Sequence, residues 1–246
     1  MIEFAEFAFY NKISQKTEMP GFSPDCTHKE RTMKTNSSAS LTEPTYDYIL
    51  NLILNKKLKP GDRVPEVEIA SDLGISRTPV RNALKQLESE GLVHIYPNRF
   101  VEVSVYEEED IQNLGIVRIA IDTMAVRLAI YRGSNEEFEV LRSIANETGY
   151  DEATEEGRTG RIRHDYDFHR QLSQISKNPI LIKYQDQFLR QMEVILSYRY
   201  EEAVQASVTH AMVAEAICAR DEKKAVHLIT THLAEFYHLT QKFPFL

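Results

Sequence analysis

From Thr45 the apolar residues fall into a helical period: TYDYILNLILNKKL places Ile49, Leu50, Ile53 and Leu54 on one stripe. Pro60-Gly61 stops it. EVEIASDL repeats the period on a shorter scale through Ile69, Ala70 and Leu73, and Gly74 follows with a residue that tolerates positive φ. Ser76 then suits a helix N-cap and Pro79 a first helical turn. Val80, Ala83, Leu84 and Leu87 form the stripe of a third helix, which Gly91 ends. Past it the period changes. LVHI and RFVEVSV have strand character, with Val101, Val103 and Val105 alternating, and Tyr96-Pro97-Asn98-Arg99 joins them. Residues 41–106 therefore read as three helices and a small hairpin, a winged helix-turn-helix.

Beyond this point the pattern is helical. Glu107, Glu108, Glu109 and Asp110 suit a helix N-terminus. Helical runs then cover about 110–132, 135–147, 158–176, 179–200, 205–219 and 221–241. SNEE, from Ser134 to Glu137, is a capping box, and Asn178-Pro179 separates two of the helices. With no strand-like alternation and no internal repeat, 107–246 is predicted to be all-α. Residues 1–40 mix Pro, Gly, Ser, Thr and charges with a few aromatics (MIEFAEFAFY) and show no sustained period, which predicts a mostly disordered tail. Met33, followed by a polar lead into the first helix, is an alternative start.

Composition narrows the class. The 246 residues, 42% apolar, are enough for one large domain or two small ones. No stretch of 18 apolar residues exists to span a membrane, and the N-terminus does not read as a secretory signal. Cys26 and Cys218 form no spaced metal or redox motif, and a reducing cytoplasm is the simplest location. The formal net charge of -8 argues at first against a polyanionic partner. The charge is uneven, however. Residues 41–106 hold eight Lys/Arg against nine Asp/Glu, and 107–246 hold sixteen against twenty-three. Within the near-neutral first part, Arg77, Arg81 and Lys85 are spaced four apart and form one basic row on the third helix, off its Val/Ala/Leu stripe. With Thr78 and Asn82 beside them, they are candidates to read guanine edges and phosphates of double-stranded DNA.

LKPGDRVPEVEIASDLGISRTPVRNALKQLESEGLVHIYPNR resembles the DNA-binding domain of the GntR family of bacterial transcription regulators, and the SRTPVR core followed by AL, L and EGL carries that likeness. The resemblance implies that Arg77 and Arg81 touch bases and phosphate, that Ser76 before them lies at the same DNA-binding face, and that the 96–99 wing approaches the minor groove with Asn98 and Arg99. Two positions depart from the pattern. Val67 stands where many relatives have an arginine, and Phe100 where many have a glycine, a turn requirement that Asn98 could meet instead. The helical remainder resembles the ligand-sensing FCD domain of FadR-type members, an antiparallel α-helical bundle. The expected fold is thus mainly α, with a tail (1–40), a winged helix-turn-helix domain (41–106) and an all-α sensing and dimerisation domain (107–246).

RHDYDFHRQL places Asp165 and His169 on one helix face, and His210 and His232 follow in SVTHAMVAEAI and LITTHLAEF. Three imidazoles and a carboxylate suit a divalent ion such as Zn²⁺, Ni²⁺ or Mn²⁺. The four positions resemble the metal-binding pattern of the FCD subfamily, whereas His164, His227 and His238 do not match it. Arg118, in GIVRIAIDTM, resembles the FCD arginine that faces the pocket, and its guanidinium could pair with a carboxylate effector. An ion pair with Asp122 is the plainer alternative, and Arg190 and Arg199 could serve instead. The expectation is a cytoplasmic homodimer that binds an inverted-repeat operator, as a repressor released by a small organic acid. The rivals are a metal-dependent hydrolase using the His/Asp site and a regulator whose metal is purely structural.

Overall fold

The computed structural model describes residues 41–199 and 207–239. The tail, and with it the disorder expected there, lies outside the described residues. Helices α1 (Thr42–Leu54), α2 (Glu66–Asp72) and α3 (Arg77–Ser89) precede a hairpin of β1 (Val93–Tyr96) and β2 (Phe100–Val103). Then follow α4 (Glu108–Arg132), α5 (Asn135–Ala145), α6 (Glu155–Ile175), α7 (Pro179–Arg199), α8 (His210–Cys218) and α9 (Glu222–Phe236). The molecule is mainly α, a winged helix-turn-helix followed by an all-α bundle.

The stripes read from the sequence meet in the winged part. Ile49 and Ile53 of α1, Ile69 of α2 and Val80, Ala83, Leu84 and Leu87 of α3 close on one another, and Val93, Val101 and Val103 of the hairpin complete the core. The strands pair antiparallel with Val93 opposite Val103 and Ile95 opposite Val101, so one face of the hairpin is apolar. Val105 does not continue that face. The strand ends at Val103, Ser104 N donates to Leu92 O, and Val105 is 54% exposed. At the hairpin tip Asn98 adopts φ 58°, and Arg99 N donates to Tyr96 O at 3.0 Å. Asparagine tolerates this left-handed backbone better than most residues, so the turn closes without a glycine. Gly74 takes φ 63° between α2 and α3. Ser76 holds the N-cap position of α3 but its side chain makes no capping bond.

The bundle helices are set off by polar caps. Ser134 Oγ accepts from Glu137 N (3.2 Å) and Glu137 Oε2 from Ser134 N (2.8 Å), the reciprocal box expected at α5. Thr154 Oγ1 accepts from Gly157 N at 3.0 Å and starts α6 a few residues earlier than the apolar period suggests, since a cap fixes a terminus that the period alone does not. The core packs Val126 and Ala129 of α4, Phe138 and Leu141 of α5, Phe168 and Leu172 of α6, and Ile229 and Leu233 of α9.

Helix α7 belongs to both cores. Ile195 and Leu196 pack in the bundle while Val194 packs in the winged part. Near its end the Tyr198 hydroxyl lies 2.6 Å from Ile53 O and 2.5 Å from Leu58 O. About two turns earlier, Arg190 Nε forms an ion pair with Glu90 Oε2 at 3.1 Å, and that oxygen accepts from the Tyr46 hydroxyl at 2.5 Å. The α7 helix is thus bonded to both ends of the winged core, through the end of α1 and the end of α3.

Candidate metal centre and nucleic-acid interface

The outer face of α3 is polar because its inner face is spent on the core. Ser76, Arg77, Thr78, Arg81, Asn82 and Lys85 are all exposed, as are Asn98 and Arg99 at the wing. Two of these cations are not free-standing. Glu66, at the start of α2, lies 3.3 Å from Arg81 Nε and 3.9 Å from Arg77 Nη2. One carboxylate therefore tethers the first two arginines of the basic row over the α2–α3 turn. Val67 is 62% exposed beside it, a surface position where an arginine could reach a phosphate and a valine cannot. Phe100 at the wing carries the Arg63 guanidinium over its ring at 4.1 Å, an attraction of cation and π face that holds a cation at the base of the wing.

In the bundle, α6, α8 and α9 bring together the four residues singled out as ligands. Ligating atoms of Asp165, His169, His210 and His232 lie within 4.8 Å of one another. His210 Nε2 stands 3.1 Å from His232 Nε2 and 3.3 Å from Asp165 Oδ1, and His169 Nε2 stands 3.7 Å from Asp165 Oδ1. Ligand bonds of about 2.0–2.1 Å would put neighbouring donors roughly 3 Å apart, so these separations are close to those an ion needs.

Proton accounting supports the same reading. His169 Nδ1 faces Asp122 Oδ1 at 2.8 Å and must donate to it, and His232 Nδ1 donates to Val208 O at 2.8 Å. His232 then turns an unprotonated Nε2 inward, and His169 directs its Nε2 to the same centre. The buried His169 Nε2 has no hydrogen-bond partner. Burial pushes His210 down to about 3 and His232 down to about 4, so both rings are neutral at pH 7. Burial alone would raise the Asp165 carboxyl, but His169, His210 and Arg118 outweigh it and hold the group well below the usual carboxylate range. The centre therefore gathers three ring nitrogens about one anionic carboxylate. The donor set fits a divalent ion.

Behind the four lies a second layer. Asp122, fully buried, accepts from His169 and from Gln185 Nε2 at 3.1 Å, and lies 3.4 Å from Arg118 Nε. Arg118 is 1% exposed and also reaches Asp165 Oδ2 at 3.6 Å, while its Nη1 donates to the Tyr237 hydroxyl at 2.9 Å. The Tyr237 ring fits against α4 only because residue 115 is glycine: a Cβ there would collide with it. Of the two settings considered from the sequence, the structure shows the ion pair with Asp122; the guanidinium also adjoins Asp165 and is buried behind it rather than facing the cavity. Of the other two arginines, Arg190 is engaged at the junction with the winged part and Arg199 lies 3.5 Å from Glu108 Oε2.

A cavity of about 460 Å³ opens onto Asp165, His210 and His232. Arg118 is not among its lining residues; Arg161, His164 and Tyr150 are. Sequence reasoning passed over these three, and over Asp122 and Gln185 as partners of the ligands. Arg161 was readable in part, since it precedes Asp165 by four residues and so shares its helix face.

The fold is thus a winged helix with a basic outer face joined to an all-α bundle with a cavity at its polar centre. Two family models match the chain: "Bacterial regulatory proteins, gntR family" over residues 41–103 and "FCD domain" over 114–235. The chain belongs to the GntR family and carries an FCD ligand-binding domain. It is 36% identical over 125 residues to the Nta operon transcriptional regulator of Aminobacter aminovorans, covering 51% of this chain and 59% of that one. It is 27% identical over 221 residues to the "Probable D-xylose utilization operon transcriptional repressor" of Paenarthrobacter nicotinovorans, covering 86% and 93%. The matches to the first of these relatives thus span about three-fifths of the relative's length. Among solved structures, E. coli McbR/YncC aligns with a TM-score of 0.61 at 21% identity, over 82% of this chain and 98% of that one. The transcriptional regulator GntR from Rhodococcus sp. RHA1 aligns with a TM-score of 0.63 at 21% identity and the same coverage. At these identities the likeness is one of fold. The relatives named here are regulators, and none is named as an enzyme.

Proposed function

We propose that this regulator is a cytoplasmic homodimeric repressor whose grip on an inverted-repeat operator is released by a small organic acid bound at a metal centre in the bundle. Residues 41–106 read DNA through Ser76, Arg77, Thr78, Arg81, Asn82, Lys85, Asn98 and Arg99, and residues 107–246 sense and dimerise. The observation that carries the reading is the cavity of about 460 Å³ that opens on three of the four ligand candidates, Asp165, His210 and His232. A purely structural ion needs no such opening. Zn²⁺, Ni²⁺ or Mn²⁺ held by the four side chains would supply a Lewis-acidic anchor for an anionic oxygen of the ligand. Arg118 takes part by holding the outer oxygen of Asp165, and so meets the effector through that carboxylate.

Helix α7 supplies the route from cavity to DNA. Gln185 bonds Asp122, which orients the ligand His169, and the same helix carries Arg190, Val194 and Tyr198 into the winged part. A ligand that shifts His169 or Asp165 is thereby coupled to the spacing of the reading heads. For the homodimer, support comes from α4. Leu114, Val117, Ile121, Met124, Leu128 and Tyr131 follow a three–four heptad spacing along one seam, and Val117, Met124 and Tyr131 are exposed, Tyr131 by 86%. A seam of this period fits a second helix of the same pattern. Among the described residues no helix is long and apolar enough to cross a membrane.

The test is a DNA-release assay. Operator sequences are selected from random duplex DNA with the full chain, and binding is then followed by fluorescence anisotropy. The protein is metal-loaded or chelator-treated, and a panel of small organic acids is added. Release by at least one acid from the metal-loaded form, and not from the stripped form, is the expected result. Metal-dependent stability with no acid that alters DNA binding or melting temperature would leave the ion structural and refute the sensor.

A further inference from the structure

The cavity lining extends beyond the ligand candidates. Arg161, His164, Tyr150 and residues 146–149 contribute to it as well. Arg161 lies one helical turn before Asp165 on α6, a rise of about 6 Å. Its guanidinium is not loose. Arg161 Nη1 lies 3.0 Å from His164 Nδ1, and an arginine can only donate, so His164 Nδ1 is the acceptor and the proton of the neutral ring is on Nε2. That Nε2–H donates to Ile144 O at 2.7 Å. The buried His164 ring is thus fixed from both sides, with its centroid 5.4 Å from that of the ligand His210 and 5.8 Å from that of Tyr150. It holds a cation on the cavity wall. The Arg161 side chain remains 40% exposed, and its nearest carboxylate, Glu152 Oε1, is 3.9 Å from Nε. A contact of that length leaves the planar fork available to a better-placed anion.

We propose that the effector is a short dianionic acid that spans the cavity, with one anionic group at the Asp165–His169–His210–His232 centre and the second on the Arg161 guanidinium, which His164 positions. This rests on the sensor reading above and names its ligand class. A monoanion can satisfy the histidine–aspartate centre but leaves Arg161 facing solvent. A dianion whose anionic groups are separated by roughly two to four carbon atoms suits the turn of α6 between the two anchors. Arg161 is then the specificity-determining residue, and the ligand centre supplies affinity common to all acids.

The experiment compares matched acids by isothermal titration calorimetry of the metal-loaded full chain. Succinate and glutarate are set against butyrate and valerate, which replace one carboxylate by a methyl group at the same length. 3-Phosphonopropionate tests whether the group read by Arg161 is a carboxylate or a phosphoryl group. The wild-type chain should bind the better dianion at least tenfold more tightly than its monoanionic partner. Arg161→Gln should bring that ratio to about one, with butyrate or valerate affinity, metal content and unliganded melting temperature unchanged. Arg161→Lys should restore part of the ratio, since it returns the charge without the fork. Discrimination that survives Arg161→Gln, or a wild-type chain that binds mono- and dianions equally, overturns the assignment and leaves the sensor standing. If none of the acids binds the metal-loaded chain, the sensor reading falls, and this assignment with it.

Discussion

Replacing Arg118 by methionine isolates the charge balance of the centre. The side chain is 1% exposed and lies between two carboxylates, Asp122 at 3.4 Å and Asp165 at 3.6 Å. Methionine roughly keeps the volume and removes the charge. Removing one member of a buried ion pair costs about 3–5 kcal/mol, because the remaining charge is left without its counter-ion. The Tyr237 hydroxyl also loses a charged donor, whose hydrogen bond is worth about 1.5–3 kcal/mol. These terms overlap, so the metal-free variant is expected to lose about 4 kcal/mol. In the metal-loaded protein the outcome differs. The ion neutralises Asp165, and Asp122 keeps His169 and Gln185 as donors. The loss should shrink to about 2 kcal/mol, and by linkage the variant should bind the ion more tightly by the difference, on the order of tenfold or more. The assay is urea unfolding of wild type and Arg118→Met with chelator and with saturating Zn²⁺, together with a competitive Zn²⁺ titration. A loss as large with metal as without it would refute the claim that Arg118 and the ion share Asp165. A metal-free loss below about 1 kcal/mol would mean that the pair is not a buried charge balance at all.

Three further outcomes follow from the geometry. Arg77→Ala and Arg81→Ala should each cost about 1–3 kcal/mol of operator binding and relax its sequence preference, measured by anisotropy at fixed salt, while the melting temperature stays unchanged because both side chains are exposed. Gln185→Leu should weaken metal affinity by about 10–100-fold in the competitive titration, since it removes the donor that steadies Asp122 behind the ligand His169. Metal-free protein should lose stability as the pH falls from about 6.5 toward 4: His210 and His232 sit below the ordinary 6.5 in the folded chain, at about 3 and about 4, so the unfolded chain takes up protons first. Urea midpoints that stay flat across that window would contradict the buried, neutral assignment of the two rings.

The winged part was legible because each of its signals is local. The stripes Ile49–Ile53 and Val80–Leu87, the φ 63° glycine at position 74 and the Asn98 turn are each decided within a few residues, and each appears where the chain placed it. Val105 shows the limit of that method, since its alternation continues the strand pattern while the strand itself ends at Val103. In the bundle the four ligand candidates were found by their spacing and their likeness to a family pattern, and the fold brings them within 4.8 Å. What surrounds them was not legible. The Asp122–His169 and Gln185–Asp122 bonds join α4, α6 and α7 across 47 and 63 residues, and no periodicity reports such pairs. His164 was set aside because it did not match the ligand pattern. Its role in the cavity depends on the Ile144 carbonyl, 20 residues away.

The same separation bears on how the centre can signal. His169 and Asp165 share α6, so a ligand that pulls on either moves one rigid helix. His169 is tied through Asp122 to Gln185 on α7, and α7 contributes Val194 to the winged core and the Tyr198 hydroxyl to the carbonyls that end α1. That hydroxyl faces two acceptors, Ile53 O and Leu58 O, and so ties α7 to the end of α1 and to the segment that follows it. The Arg190–Glu90–Tyr46 cluster, an ion pair and one hydrogen bond on a single carboxylate, anchors the other end of the contact at α3. In the proposed sensor, α7 is therefore held to the winged part at two places, beside α1 and beside α3, so a displacement of α6 at the ligand cluster would reach the winged part along the whole of α7 rather than through one contact.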